Sequence, residues 1–480
     1  MSLAYAPEAI GGPPVRERVA GAASRTASAR DAAVDVARAA CLVVVVALHG
    51  LMVGVSVADG APVLENALEG WPGFAALTWL AQVMPLFFVL GGFSSFLHWS
   101  GMRARGVTPA AYVAGRLRRL LLPAVAAIAT SAVALSVLTL CGVPGDLVAV
   151  AGFRLSQPLW FLGVYVLCTA AVPALVAAHR RFPVGAVAVL AALAASVDIV
   201  RGATGVTAVG FANLLFVWLL VQQLGFWLAD GSVSAIPRRT LTMIAAGAFA
   251  TLFLLGATGV YSFDLLANLN PPTFALVLLG VAQLAAFQLA RPALRLVAGN
   301  RTFAAAVRAI NARAMTIYSW HMLALIALAG LLLTSGIPLP QPLSGEWWAT
   351  RGVWLAAVAV VVTALVAVTG RLELGRAGAG HGTDRSGRKV RPGLVWPAVA
   401  SGAAGVLVIL VAGSMVAGWV TGCALILGAL TLAAPEPENP ATPVTDARRP
   451  EFDTHSRSTS RFPSSATAIA SSRVETPSLR

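Results

Sequence analysis

The chain has 480 residues, of which 58% are hydrophobic and only 11% charged, and its formal net charge is +14. A soluble globular domain carries about 25% charged residues, so the composition excludes an ordinary water-soluble enzyme and indicates a polytopic membrane protein. Lys389 is the single lysine, an arginine bias that points to a GC-rich, bacterial source, and Cys41, Cys141, Cys168 and Cys423 are too scattered for a disulfide framework or a metal cluster. The cysteines are expected to be small apolar core residues, and no metal is expected.

Residues 1–35 are polar and rich in Ala and Arg, too long a lead for a cleaved signal peptide. They are read as a cytoplasmic segment before an uncleaved first helix. Apolar runs able to cross about 30 Å of hydrocarbon follow at 36–57, 74–97, 119–141, 158–178, 183–200, 205–229, 240–262, 273–290, 315–335 and 352–370. Residues 371–393 read as a basic cytoplasmic linker. The apolar stretch 394–434 fits one long span or two short ones turning near Gly413 and Ser414, with two preferred. Residues 435–480, rich in Pro, Ser, Thr and Arg, are expected to be disordered. The expected fold is all-α: a polytopic transmembrane bundle of ten core helices, residues 36–370, plus one or two C-terminal spans.

Positive residues stay on the cytoplasmic side of a membrane. The N-terminal segment and every second loop after it hold 25 arginines and lysines, whereas the intervening loops hold three, Arg154, Arg201 and Arg351. The alternation supports ten helices with a cytoplasmic N-terminus, and it explains the net charge without nucleic acid. A multi-pass protein of the bacterial cytoplasmic membrane is the expected setting.

The first run contains Asp35, Arg38 and His49. Eleven residues of helix bring Arg38 and His49 within about 20° of the same face, about 16 Å apart along the axis. Asp35 lies one turn before Arg38, placed to hold it at the membrane edge. Ionisable residues at membrane depth are costly and usually mark a site; the bland alternative is a histidine that merely bonds a neighbouring helix.

"YVAGRLRRLLLP", Tyr112–Pro123, places Arg116, Arg118 and Arg119 directly against an apolar run. Arg103 and Arg105 suit a snorkelling anchor. Guanidinium forks bind phosphates, so the other three form a candidate polyanion site.

With "QVMPLFFVLGGF" (Gln82–Phe93), "QPLWFLGVYV" (Gln157–Val166) and "IYSWHM" (Ile317–Met322), these segments resemble, in order, the motifs of acyltransferase family 3, the integral membrane O-acyltransferases. The first helix, "DVARAACLVVVVALHG", has that family's pattern of an aspartate, an arginine, ten intervening residues and a histidine. Tyr165 stands in the region where many members carry a glutamate. The resemblance covers about residues 30–370, and no appended soluble esterase-like domain is expected in the residues after it.

The resemblance implies transfer of an acyl group from a cytoplasmic acyl-CoA-type donor, as co-substrate rather than bound cofactor, to a hydroxyl of a glycan, cell-envelope polymer or glycosylated small molecule. His49 would be the general base. Arg116, Arg118 and Arg119 would clamp the donor. Arg38, held by Asp35, would orient the donor or set the field around His49. Gly91, Gly92 and Phe93 would admit close approach of a substrate or, equally, of another helix. Tyr318 and His321 form either a structural pair or a second polar wall, and Trp160 is a candidate at the acceptor site. His98, His179 and His381, at or beyond the membrane edges, receive no functional role. Trp71, Trp347 and Trp348 fit an interfacial belt. A transporter or flippase, which would show inverted repeats, and a non-catalytic sensor or scaffold are the alternative classes. Acyl transfer lost on replacing His49 would separate catalysis from both.

Overall fold

Asp31 starts the first helix, its Oδ1 accepting from the Ala33 amide at 3.0 Å, as an N-cap residue does. The computed structural model describes residues 31–58, 61–377 and 390–435. The N-terminal segment up to residue 30, most of the basic linker and the tail from 436 lie outside the described residues.

Helix α1, Ala32–Met52, gives way to an antiparallel hairpin, β1 (Val53–Ala58) and β2 (Ala61–Asn66), in which Val53 pairs with Asn66 and Ala58 with Ala61. The helix expected to run to residue 57 thus stops five residues early. Val53, Val55 and Val57 alternate with small residues and Asp59-Gly60 follows, a strand-and-turn pattern that outweighs hydropathy here. The next crossing is broken in two, α2 (Phe74–Ala81) and α3 (Met84–Ala104). Gln283 seals the break, donating to the Gln82 carbonyl at 2.7 Å and accepting from the Leu86 amide at 2.8 Å. Breaks at membrane depth survive only when neighbouring groups satisfy the freed backbone in this way.

Then come α4 (Pro109–Leu140), α5 (Gly145–Ser156), α6 (Leu159–Arg181), α7 (Pro183–Thr204), α8 (Asn213–Ala229), α9 (Arg238–Ala257) and α10 (Ala275–Val297). The chain continues through α11 (Arg301–Ala312), α12 (Ala314–Thr334) and α13 (Gly345–Ala377) to α14 (Pro392–Ala412) and α15 (Val416–Leu432). Among the described residues, eleven helical stretches are long and apolar enough to cross a membrane, and α15 is a shorter apolar helix. The protein is an all-α polytopic bundle.

Helix α11 lies in a region that reads as a loop from hydropathy alone. Asn300 caps it, accepting from the Phe303 amide at 3.0 Å. Its Val307 packs against Val36 and Ala39 of α1. Cys41 and Cys168 are buried, whereas Cys141 is exposed just past α4, contrary to the expectation of a core residue.

Candidate active site

His49 and His321, 272 residues apart, meet between α1 and α12. The Nδ1 of His49 lies 2.9 Å from Nε2 of His321, and the rings are stacked 5.1 Å apart at 12°. The Nδ1 of His321 lies 2.6 Å from the Tyr318 carbonyl oxygen, which can only accept, so that nitrogen carries a hydrogen. In a neutral pair the tautomers are then fixed in series. His321 Nε2 is the acceptor, His49 Nδ1–H donates to it, and the lone pair of His49 is left on Nε2. That nitrogen bonds no described residue. His321 is buried, but His49 keeps part of its surface accessible.

Two further motif segments, Gln157–Val166 and Gln82–Phe93, converge on this pair. Tyr318 donates its hydroxyl to the Pro158 carbonyl at 2.6 Å, joining α12 to the start of α6. Phe161 stands edge-on to Tyr318 at 5.2 Å and stacks on Tyr165 at 5.3 Å, and Phe87 and Phe88 pack edge-on against Phe161. Tyr165, in the region where the resemblance led to expect a glutamate, is part of this aromatic wall. Behind His49, the carbonyl of Gly50 accepts from the Trp354 indole at 2.8 Å, and a Cβ at Gly50 would strike Leu355 at 2.9 Å. Helix α13 thus packs closely against the turn that carries His49, and a side chain at Gly50 would require Leu355 to shift.

Gly92 of "GGF" sits in a close helix–helix contact. A Cβ on Gly92 would sit 2.1 Å from the Gln222 carbonyl oxygen of α8, and one on Gly225 would sit 2.0 Å from the Val89 carbonyl oxygen of α3. Gly91 faces the Tyr165 ring, where a Cβ would lie 3.3 Å away. Both Gly91 and Gly92 are buried, and Phe93 packs against the core. Trp160 stacks on Trp218 at 5.6 Å. Trp347 is buried rather than presented at an interface, while Trp71 and Trp348 meet edge-on at 5.4 Å.

At the other end of α1 the carboxylate held by arginines is Asp31. It pairs with Arg291 and Arg295 of α10, the latter at 2.9 Å. Burial by itself would push the Asp31 carboxyl upward, but the Arg295 and Arg291 hydrogen bonds and charges outweigh it and hold the group below the usual carboxylate range. Asp35 contributes its backbone carbonyl to the Asn311 amide at 2.8 Å, tying α1 to α11. Arg38 is half-buried, and one of its amino groups makes a long 3.4 Å contact to the Ser94 hydroxyl. Nearly all of its hydrogen-bonding capacity is unspent among the described residues. Arg116 is half-buried with an unpartnered Nε, whereas Arg118 and Arg119 are exposed.

His179 occupies a separate knot at this same end. Its Nε2 lies 2.8 Å from Asp230 Oδ2, and its Nδ1 accepts from the Gln223 side chain at 3.0 Å. For Asp230, burial raises the carboxyl, but hydrogen bonds from His179 and Ser232 bring it below its ordinary value. Among the described residues, no group of three metal-ligating side chains comes together.

The sequence model of the acyltransferase domain of acyltransferase family 3 matches residues 31–370. The match spans well over half of the chain. The chain belongs to acyltransferase family 3. Neither the comparison with curated proteins nor that with solved structures gave a match. The matched region begins at the Asp31 cap and closes within α13, so it takes in the histidine pair and the arginine end of the bundle, while α14 and α15 lie beyond it. This is a membrane acyltransferase.

Proposed function

We propose that this acyltransferase moves an acyl group from an acyl-CoA-type donor at the arginine-rich, cytoplasmic face to a hydroxyl of a glycan, cell-envelope polymer or glycosylated small molecule. The observation that carries the reading is the hydrogen-bond series from the Tyr318 carbonyl through His321 to His49, which leaves a lone pair on His49 Nε2. In this reading the acceptor hydroxyl gives its proton to His49 Nε2 as its oxygen attacks the thioester carbonyl carbon. The tetrahedral adduct collapses, the carbon–sulfur bond breaks, and the thiol leaves with the proton returned from His49. His321 is a positioning residue, acting through the tautomer it imposes.

Arg38, with donors to spare three turns before His49, suits the donor or the field along its path. Arg116, with Arg118 and Arg119 beside it, suits the donor's phosphates. The even alternation of 25 against three basic residues supports a cytoplasmic N-terminus, and the arginine bias supports a bacterial cytoplasmic membrane.

The test is turnover of acyl-CoA by purified protein. His49→Ala and His49→Gln should each lower kcat by about 10²–10⁴ with little change in donor affinity, because the base acts mainly in the transition state. A glutamine variant with near-normal turnover would make the histidine a structural hydrogen-bonder. Arg116→Ala combined with Arg119→Ala should raise KM for acyl-CoA in a folded protein. An unchanged KM would return these arginines to the role of membrane anchors.

A further inference from the structure

Helix α11 lies between two crossings, α10 and α12, at the end of the bundle where Asp31 meets Arg291 and Arg295. Its 12 residues make it about 18 Å long, too short to span about 30 Å of hydrocarbon. The helix is amphipathic. Val307 is buried against α1 with Ile310 packed beside it, whereas Arg301 and Arg308 are exposed. Seven residues of helix bring those two arginines within about 20° of one face, about 10.5 Å apart along the axis.

From Arg291 to Arg313 the chain carries five arginines and no acidic residue. Arg291 and Arg295 are spent on Asp31, and Arg313 lies against Gly370 of α13. Arg301 and Arg308 form no hydrogen bond or ion pair with any described residue, so their charge is uncompensated there. Beside them Leu296 and Val297, at the end of α10, and Phe303, in the first turn of α11, are all exposed. Guanidinium groups next to open apolar side chains are the pattern of a helix lying in a bilayer interface, with its arginines among headgroups and its apolar residues at the acyl boundary. A soluble phosphate compound would satisfy the arginines and leave the apolar residues in water. A phospholipid satisfies both.

The helix is also joined to the turn of α1 that presents Arg38. Val307 packs on Val36 and Ala39, and the Asn311 side-chain amide donates to the Asp35 carbonyl at 2.8 Å. Residues 35, 36 and 39 bracket Arg38, whose guanidinium makes the 3.4 Å contact to Ser94.

We propose that α11 is a docking surface for anionic phospholipid headgroups, with Arg301 and Arg308 taking the phosphates, and that the bound lipid steadies the turn of α1 carrying Arg38. The charge of the surrounding lipid then sets how well Arg38 is placed. The docking stands on α11 alone, and its effect on turnover rests on the acyltransferase reading above.

The test uses full-length protein in nanodiscs of phosphatidylcholine alone, or of equal parts phosphatidylcholine and phosphatidylglycerol. A photoactivatable phosphatidylglycerol is crosslinked and its sites are mapped by mass spectrometry, and acyl-CoA consumption is measured in the same discs. Crosslinks should concentrate between Leu296 and Arg308 and fall roughly fivefold for each arginine removed in Arg301→Gln and Arg308→Gln, as expected for one arginine beside an anionic surface. Both side chains are exposed, so the substitutions leave the core untouched. Arg238→Gln with Arg239→Gln removes an equally exposed pair at the start of α9, on the end of the bundle where Arg291 also bonds Ser234, and should leave these crosslinks unchanged. Turnover should be higher in the phosphatidylglycerol discs, and the double variant at Arg301 and Arg308 should show the phosphatidylcholine rate in both. Equal loss of crosslinks from the two arginine pairs would reduce α11 to a share of diffuse surface charge and overturn the docking. Displacement of the lipid by soluble glycerol phosphate or by acyl-CoA would overturn it too, making the ridge a phosphate site or a part of the donor path. Crosslinking at α11 with equal turnover in both discs would overturn the coupling to Arg38. Crosslinking at α11 with no acyl-CoA consumption in any disc would overturn the acyltransferase reading, and the coupling with it, while supporting the docking.

Discussion

His179 and His49 sit near opposite ends of the bundle, and they differ in what becomes of the second ring nitrogen. His179 spends both nitrogens, one on Asp230 and one on Gln223, and aromatic rings of Phe96, Phe226 and Trp227 close around it edge-on. A ring satisfied on both sides has no lone pair to give, and it serves to join α6 to α8. His49 spends only Nδ1, on His321, and keeps Nε2 open. Its partner His321 is as fully committed as His179. In the proposed reading, chemistry in this chain is a matter of which imidazole is left incomplete.

The comparison can be broken most severely at His49 itself, where either substitution should remove most turnover. A smaller effect is expected at His321. His321→Ala deletes the acceptor that holds His49 Nδ1–H, a hydrogen bond of about 1–1.5 kcal/mol, and should lower kcat roughly tenfold. His321→Gln supplies an amide oxygen to the same hydrogen and should recover much of that loss. The pH profile of kcat should shift in the alanine variant and return toward wild type in the glutamine variant. Alanine and glutamine variants of equal activity would mean that His321 only fills space.

His179→Ala should act on stability rather than rate. It strands Asp230 and Gln223 in or beside the core, which costs about 1–3 kcal/mol, read as a lower Tm with kcat per folded molecule retained. A large loss of kcat in stable protein would erase the distinction between the two histidines.

The carboxylates at this end sharpen the comparison by pH. Asp31 and Asp230 are both held below their ordinary range in the folded protein. Their contribution to stability is therefore complete above the unfolded carboxylate value of about 4 and is lost as pH falls through the folded value. Asp31→Asn should lower Tm at neutral pH and flatten the acid limb of the stability curve. An unchanged acid limb would show that the Arg291 and Arg295 pairs contribute nothing measurable.

The helical architecture was legible because hydropathy reports burial in lipid directly: each of the ten runs corresponds to a crossing of the bundle. Residues 53–57 were misread because an apolar β-branched run is equally hydrophobic as helix or strand, and only Gly54 and the Asp59-Gly60 dipeptide signalled the change. Helix α11 was hidden by its arginines, although Asn300 followed by Phe303, Val307 and Ile310 is a cap and an apolar stripe. At the site, His49 and Arg38 stood out as ionisable residues within an apolar run. Their partners did not. The contacts of His49 with His321 and of Asp31 with Arg291 and Arg295 join residues more than 250 positions apart, which no local periodicity encodes. The Asp31 pairs with Arg291 and Arg295 had no counterpart in the sequence reading, which weighed only the nearer Asp35 and Arg38. The "GGF" glycines were open between substrate approach and packing, and the Gln222 carbonyl lies against Gly92 alone, while Gly91 faces the Tyr165 ring.

The most direct measurement is the ring tautomer of His49, read from side-chain nitrogen shifts of ¹⁵N-histidine-labelled protein in bilayers and assigned by comparison with His49→Gln and His321→Gln. The account predicts a neutral His49 protonated at Nδ1, with an unprotonated Nε2, and a neutral His321 protonated at Nδ1. A His49 protonated at Nε2 at the pH of turnover would contradict it, because the nitrogen assigned as base would then have no lone pair to accept the acceptor's proton.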